Sequence, residues 1–477
     1  MLKNSQNKNP EKREMRTISI KYIILIAGFA GALYSCNTSK HFQRDTVNTD
    51  NLYGSSATSD TATIANKPWT ELFTESYLQK LIQEGLEHNP DLLIAVQRVY
   101  AAEAYLSQSK AALLPDLSAS LTDNYIKNPE TIYPNGPIEV NSIQLGVSTN
   151  WEIDLWGKLR SSKRAAYANL LATDAGKKAV QTRLISNIAT SYYSLVGLDA
   201  KLAITEQTVK NNIDLFETIK VLKESGKVTG AAVVQSEANR YATEVTIPDL
   251  EQQIRETENS LCLLLGRTPG SIDRGKIEDQ TITTALSTGV PAQLLDNRPD
   301  VMQAEFGVMS AFEMTNNAHA NFYPALTLTA SAGFAATDFA HLIDPKSFAA
   351  NVIGGLTQPL FNKRINITRL RVAQAQQEEA LINFRNTMLI AGQEVHNALG
   401  SYQSSVQKIA LRKLQLGALI KSVDFTKELL TYGSANYTEV LNAQTSLLSA
   451  QLSSVNDQLQ QLNAVVSLYR ALGGGWK

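Results

Sequence analysis

The chain has 477 residues, a formal net charge of −1 and 43% hydrophobic residues. That length holds two or three ordinary domains or one large repetitive structure. The composition does not suggest a disordered chain, and near-neutrality argues against a nucleic-acid partner, which needs a basic face.

Residues 1–35 read as a signal peptide. Lys3, Lys8, Lys12, Arg13, Arg16 and Lys21 make a basic start, and an apolar run of 12 residues follows from Ile23 to Tyr34. A helix that spans a bilayer takes about 20 residues, so this run fits the core of a secretory signal instead. It ends in Leu33-Tyr34-Ser35-Cys36, which resembles a bacterial lipobox. The resemblance implies cleavage before Cys36 and lipidation of its thiol. The remaining cysteine, Cys262, then has no partner for an intrachain disulfide, and its setting of leucines suits a small buried apolar residue. Residues 36–68 are poor in large apolar side chains and read as a tether between lipid and body.

The body repeats once. Asn89-Pro90-Asp91 returns as Arg298-Pro299-Asp300, and Pro115-Asp116-Leu117 as Pro324-Ala325-Leu326, both 209 residues on (90 to 299, 115 to 324). Gly226 returns as Gly433, and Leu265-Gly266 as Leu472-Gly473, both 207 on (226 to 433, 265 to 472). The period is too long for a solenoid, so each copy is a half-structure. The expected division is a first repeat over 69–270, a connecting segment over 271–290 and a second repeat over 291–477.

Each copy reads as helix, two strands, very long helix, helix. Ile143, Leu145, Val147, Thr149, Trp151 and Ile153 alternate with polar or small residues, and Leu326, Leu328, Ala330, Ala332 and Phe334 do the same. With Ser118–Tyr125 and Phe348–Gln358, these make four strands with one apolar face. No proline falls between Pro137 and Pro248 or after Pro359. A single helix is therefore expected from Lys158 to Ser225, about 100 Å long, and another from about Asn366 to Tyr432. Leu381, Phe384, Met388, Ala391, Val395, Ala398 and Tyr402 step by three and four. So do Leu448, Leu452, Val455, Leu459, Leu462, Val466 and Tyr469. That spacing marks a coiled-coil seam. Pro115, Pro324 and Pro359 mark the junctions of helix and strand. The fold class is thus α+β: a long coiled-coil helical part and a small sheet, internally duplicated.

Four strands cannot close a barrel in lipid, where an open edge leaves backbone groups unpaired. A membrane-spanning sheet here must pool strands with copies of itself. Two copies give 8 strands and three give 12, and geometry alone does not choose.

Taken together, Asn89-Pro90-Asp91-Leu92, Asp154-Leu155-Trp156-Gly157, Ile247-Pro248-Asp249-Leu250-Glu251, Leu264-Leu265-Gly266-Arg267-Thr268-Pro269-Gly270, Asn297-Arg298-Pro299-Asp300-Val301, Phe322-Tyr323-Pro324 and Tyr432-Gly433 resemble the TolC-type outer-membrane factors. The likeness is to the lipoprotein branch serving resistance-nodulation-division pumps. It implies a homotrimer with a shared 12-stranded barrel in the outer membrane and a helical barrel in the periplasm. A periplasmic adaptor and an inner-membrane pump are the implied partners, and passive small-molecule export is the implied function. A type I protein-secretion duct is the alternative.

Gly226 and Gly433 stand where two long helices end and a left-handed residue is wanted. In the family these turns, with Tyr432, form the periplasmic tip. The family also carries two acidic residues three apart after the second turn, and by position they fall on Glu439 and Asn442. In a trimer these would ring the aperture, and three Glu439 carboxylates would favour cations. The family's ionic tip lock falls on Asn436 and Val233. No nucleophile elbow, phosphate loop or metal-ligand spacing occurs in the chain, and the five histidines are scattered. No catalytic residue, metal or cofactor is expected, and cargo is not legible.

Overall fold

A computed structural model describes residues 40–44, 52, 62–129, 139–280, 288–289 and 293–477. The first repeat contains α1 (Ser76–His88), α2 (Pro90–Ala111), β1 (Ser118–Lys127), β2 (Glu139–Ile153), α3 (Lys158–Glu224), α4 (Gly230–Glu244) and α5 (Thr246–Leu264). The second contains α6 (Pro299–Ala320), β3 (Ala325–Ala336), β4 (Phe348–Thr357), α7 (Ile365–Thr431) and α8 (Tyr437–Ala471). Both long helices, α3 and α7, have 67 residues. The described residues form two compact units. One holds the sheet with Ala101–Leu170 and Phe306–Leu381; the other is helical and holds Leu171–Glu305 and Ile382–Lys477.

The sheet is antiparallel throughout, in the order β1-β2-β3-β4. Its register sorts side chains into two unlike faces. Leu121, Leu145, Phe334 and Phe348 line up across all four strands, as do Ala119, Val147, Ala332 and Ala350. Further along the same face lie Trp151 beside Leu328, then Ile153, Leu326 and Leu356 in a row. The opposite face carries Ser120, Thr122, Gln144, Ser148, Asn150, Thr327, Ser331 and Asn351, because successive side chains on a strand point to opposite sides. The apolar face runs along β2 from Leu145 to Ile153, a span of eight residue steps (145 to 153) or about 26 Å at strand rise. That height matches a lipid-facing band of about 25 Å. β1 and β4 each leave one edge unpaired in the single chain.

In the helical unit the expected seam is the core. Phe384, Met388, Ala391, Val395 and Ala398 of α7 are buried, as are Val455, Leu462, Val466 and Tyr469 of α8. The final helix of the first repeat departs from expectation. It is divided at Val245 into α4 and α5, whereas α8 is continuous over 35 residues. The reason is Pro248, which brings no N–H to the carbonyl of Glu244, so the ladder lapses. Val245 keeps helical angles (φ −64°, ψ −18°), so the chain resumes one residue later.

Both repeats use the same joint. Asn89, preceding α2, donates from its carboxamide to the carbonyl of Leu264 (2.9 Å) and caps Leu92 N–H (3.0 Å). Arg298, preceding α6, reaches the matching carbonyl of Ala471 (3.0 Å). The arginine does more: it also binds Glu394 (2.7 Å) and Asp300 (3.0 Å through Nε) while only 5% exposed. Burial alone pushes the Asp300 carboxyl up, but the hydrogen bond and charge of Arg298 outweigh it and hold the group below the usual range. Gly266 and Gly473 close the joints at φ +72° and +87°, and a Cβ on either would run into the backbone carbonyl of His88 or Asn297.

The tether needs correction where it is described. Ile64–Asn66 forms one tight turn with Ile64 and Ala65 fully buried, and Tyr469 donates its hydroxyl to the Lys67 carbonyl (2.7 Å). Phe42 packs edge-on against Phe312 (5.7 Å between ring centres), and the Leu52 backbone lies against Gly392, where a Cβ would meet its carbonyl at 2.8 Å. A few isolated apolar residues are enough to dock the described parts of this stretch.

Candidate functional site

The two tip turns are built alike. At the end of α3, Gly226 adopts φ +73°; its N–H reaches the Lys223 carbonyl (3.0 Å), and Lys227 N–H reaches Leu222 (2.9 Å). At the end of α7, Gly433 also adopts φ +73°, with Gly433 N–H on Leu430 (3.1 Å) and Ser434 N–H on Leu429 (2.9 Å). This paired pattern satisfies carbonyls that a helix end leaves open. Tyr432, before the second glycine, is exposed.

The turns belong to one apolar cluster. Leu215 and Ile219 of α3, Ala232 of α4, Leu430 of α7 and Val440 and Leu441 of α8 are buried together. Leu222, Val228, Val233 and Tyr437 pack on their margin. The sequence reading missed this cluster, although the 3/4 spacing that located the seam continues into it. Val233, aligned with a lock carboxylate in the family pattern, therefore serves packing. Asn436, aligned with the lock arginine, caps α8 by accepting from Thr438 N–H (3.3 Å).

Glu439 and Asn442 are both exposed on the first turns of α8, while Val440, Leu441 and Ala443 between and beside them are buried. The i, i+3 spacing thus puts the two polar residues on the free face of a helix whose other face is packed. Further along, Arg412 of α7 binds buried Asp457 of α8 through Nε (2.9 Å), and Lys408 binds Gln460 (2.9 Å). These links fix the register of the second hairpin. A cavity of about 590 Å³ lies beside it, lined by Ile204, Gln207, Ile277, Val423, Gln444 and Leu448 among others. Cys36, the expected lipid site, lies outside the described residues. Among the described residues no cluster of potential metal ligands occurs, and no helix is long and apolar enough to cross a membrane.

The sequence profile of the outer membrane efflux protein family matches residues 81–267 and 290–474. A cation efflux system protein, CusC, of Escherichia coli is 28% identical over 414 residues, 86% of this chain and 89% of that one. The solvent efflux pump outer membrane protein SrpC of Pseudomonas putida is 29% identical over 408 residues, covering 85% and 87%. The probable outer membrane lipoprotein SilC of Salmonella typhimurium is 26% identical over 468 residues, covering 97% and 99%. Among solved structures, the outer-membrane channel OprN superposes with a TM-score of 0.85 at 22% identity, over 92% of this chain and all of that one. A CusC crystal structure superposes at 0.83 with 26% identity and the same coverage.

Proposed function

The chain belongs to the outer membrane efflux protein family, and on that premise we propose that it assembles as a homotrimer whose pooled strands close a 12-stranded barrel. The protein is an outer-membrane efflux channel. One observation carries the pooled-barrel reading, and the family resemblance supplies the number three. The sheet has an apolar face of membrane height, a polar face, and two unpaired edges that hydrocarbon does not tolerate. Joining β4 of one copy to β1 of the next removes every edge, and the polar face then lines a water-filled bore.

The duct is passive. Cargo enters from an inner-membrane resistance-nodulation-division pump through a periplasmic adaptor that meets the tip. A cation efflux protein and a solvent efflux protein resemble this chain almost equally, at 28% and 29%. Cargo choice is therefore assigned to the pump, with the wall of the duct left unspecific. Processing removes residues 1–35, and a lipid on Cys36 supplements the barrel as an anchor. The kinship with SilC, named a probable lipoprotein, supports that anchor. The repeats over 69–270 and 291–477, joined by 271–290, each supply two strands and one tip turn. Glu439 and Asn442 line the aperture between the tips.

Light scattering of the detergent-solubilised protein tests the assembly: the particle should contain three chains. A stable monomer with full β content by circular dichroism overturns the reading, since a barrel closed only by assembly leaves no folded monomer.

A further inference from the structure

The two repeats pass from strand to long helix at matched positions, yet the two turns are chemically opposite. Trp156-Gly157 precedes α3 and Lys363-Arg364 precedes α7. Gly157 takes φ +79° at no steric cost. At the equivalent place Arg364 takes φ +66°, with Lys363 at φ +53° beside it. Ile365 N–H closes this turn on the Asn362 carbonyl (3.1 Å). A tight turn with two left-handed residues ordinarily takes Asn-Gly, not two long cations.

The charges differ as well. Around the first turn three of four cations are paired, Lys163 excepted: Lys158 with Glu152 (2.8 Å), Arg160 with Asp154 (3.2 Å) and Arg164 with Glu313 (2.7 Å). Around the second, Lys363, Arg364, Arg369 and Arg371 fall within nine residues, and no Asp or Glu occurs from 358 to 377. None of the four forms an ion pair among the described residues. Immediately before them Leu360 and Phe361 are 94% and 85% exposed within the single chain. The turn follows β4 at the helix-side end of the sheet, where the proposed barrel leaves the membrane.

We propose that this second junction binds the phosphate headgroup of an acidic phospholipid in the inner leaflet of the outer membrane. Leu360 and Phe361 enter the acyl boundary, and Lys363 and Arg364 hold the phosphate. A guanidinium matches phosphate oxygens in geometry, and cations at a membrane surface attract anionic lipid. Strain of this kind persists where the side chain is used, since glycine would fill the turn freely, as Gly157 does. The first junction, with glycine at the turn and three of its four cations paired, has no such site, so each copy binds at one junction only.

The proposal rests on the barrel reading, and the test separates the two. The full-length protein is placed in nanodiscs of phosphatidylethanolamine with a minority of phosphatidylglycerol, then released, and retained lipids are counted by native mass spectrometry. The wild type should retain phosphatidylglycerol about fivefold or more above its bulk proportion. Lys363→Gln with Arg364→Gly should return retention to the bulk proportion while trimer mass and thermal midpoint hold, and Lys363→Arg should retain the preference. Equal enrichment in wild type and double variant, or none in wild type, overturns the site while leaving the barrel intact. A wild type that does not enter nanodiscs as a trimer overturns the barrel reading and the site with it.

Discussion

Four glycines at helix ends share nearly the same backbone angles but face different surroundings, and that separates their roles. A Cβ at Gly226 or Gly433 would meet nothing within 4 Å, so only the left-handed conformation resists substitution. Gly433→Ala should cost about 1 kcal/mol. At Gly473 the same atom would collide with the Asn297 backbone and lie 2.8 Å from Arg298 N, so Gly473→Ala should cost about 2–4 kcal/mol. Thermal or denaturant unfolding of the two variants in detergent should rank them in that order. Glu439 was assigned to the aperture by resemblance and by its free face on α8. Glu439→Gln should weaken cation selectivity and block by multivalent cations in planar bilayers. Unchanged selectivity and block would place Glu439 away from the constriction, as a helix-start residue favoured by the dipole.

At the scale of elements, the duplicated joint makes a sharper prediction than either long helix. Asn89 is a cap with one added hydrogen bond, so Asn89→Ala should cost about 1–2 kcal/mol. Arg298 is a buried charge between Asp300 and Glu394, and Arg298→Ala strands two carboxylates at a cost of about 3–5 kcal/mol. The pH dependence follows. Asp300 is held below its unfolded value, so its contribution is complete above about pH 4 and disappears as pH falls through the lower folded value. Acid unfolding of the wild type should therefore steepen below about pH 4, and Arg298→Ala should flatten that dependence. The long helices, strands and glycine caps were legible because period and punctuation state them directly. The lapse at Val245 was less so: Pro248 was visible, but whether the helix resumes depends on packing that no local pattern carries. Docking of residues 62–67 was hidden for the same reason, since Ile64 finds its pocket only in the folded body. The tip cluster was readable in principle, whereas the Arg412–Asp457 link needed the partner helix in register.

For the whole molecule, everything turns on the sheet edges. Within one chain β1 and β4 end the sheet, and their residues are almost wholly exposed. The amphipathic register makes sense only if those edges meet other copies. The duplication shows why two hairpin-like strand pairs are present, but the number of copies came from resemblance, since 8 and 12 strands both close. Paired cysteines, one at a position from 119 to 125 on β1 and one from 349 to 355 on β4, read this directly in membranes. Native Cys262 is buried and free, so it does not interfere. Oxidation should yield covalent dimers and trimers, with no higher ladder, at the pairs that fall in register. A chain that remains monomeric across the whole set, or a ladder that closes at two, would contradict a barrel made by three copies.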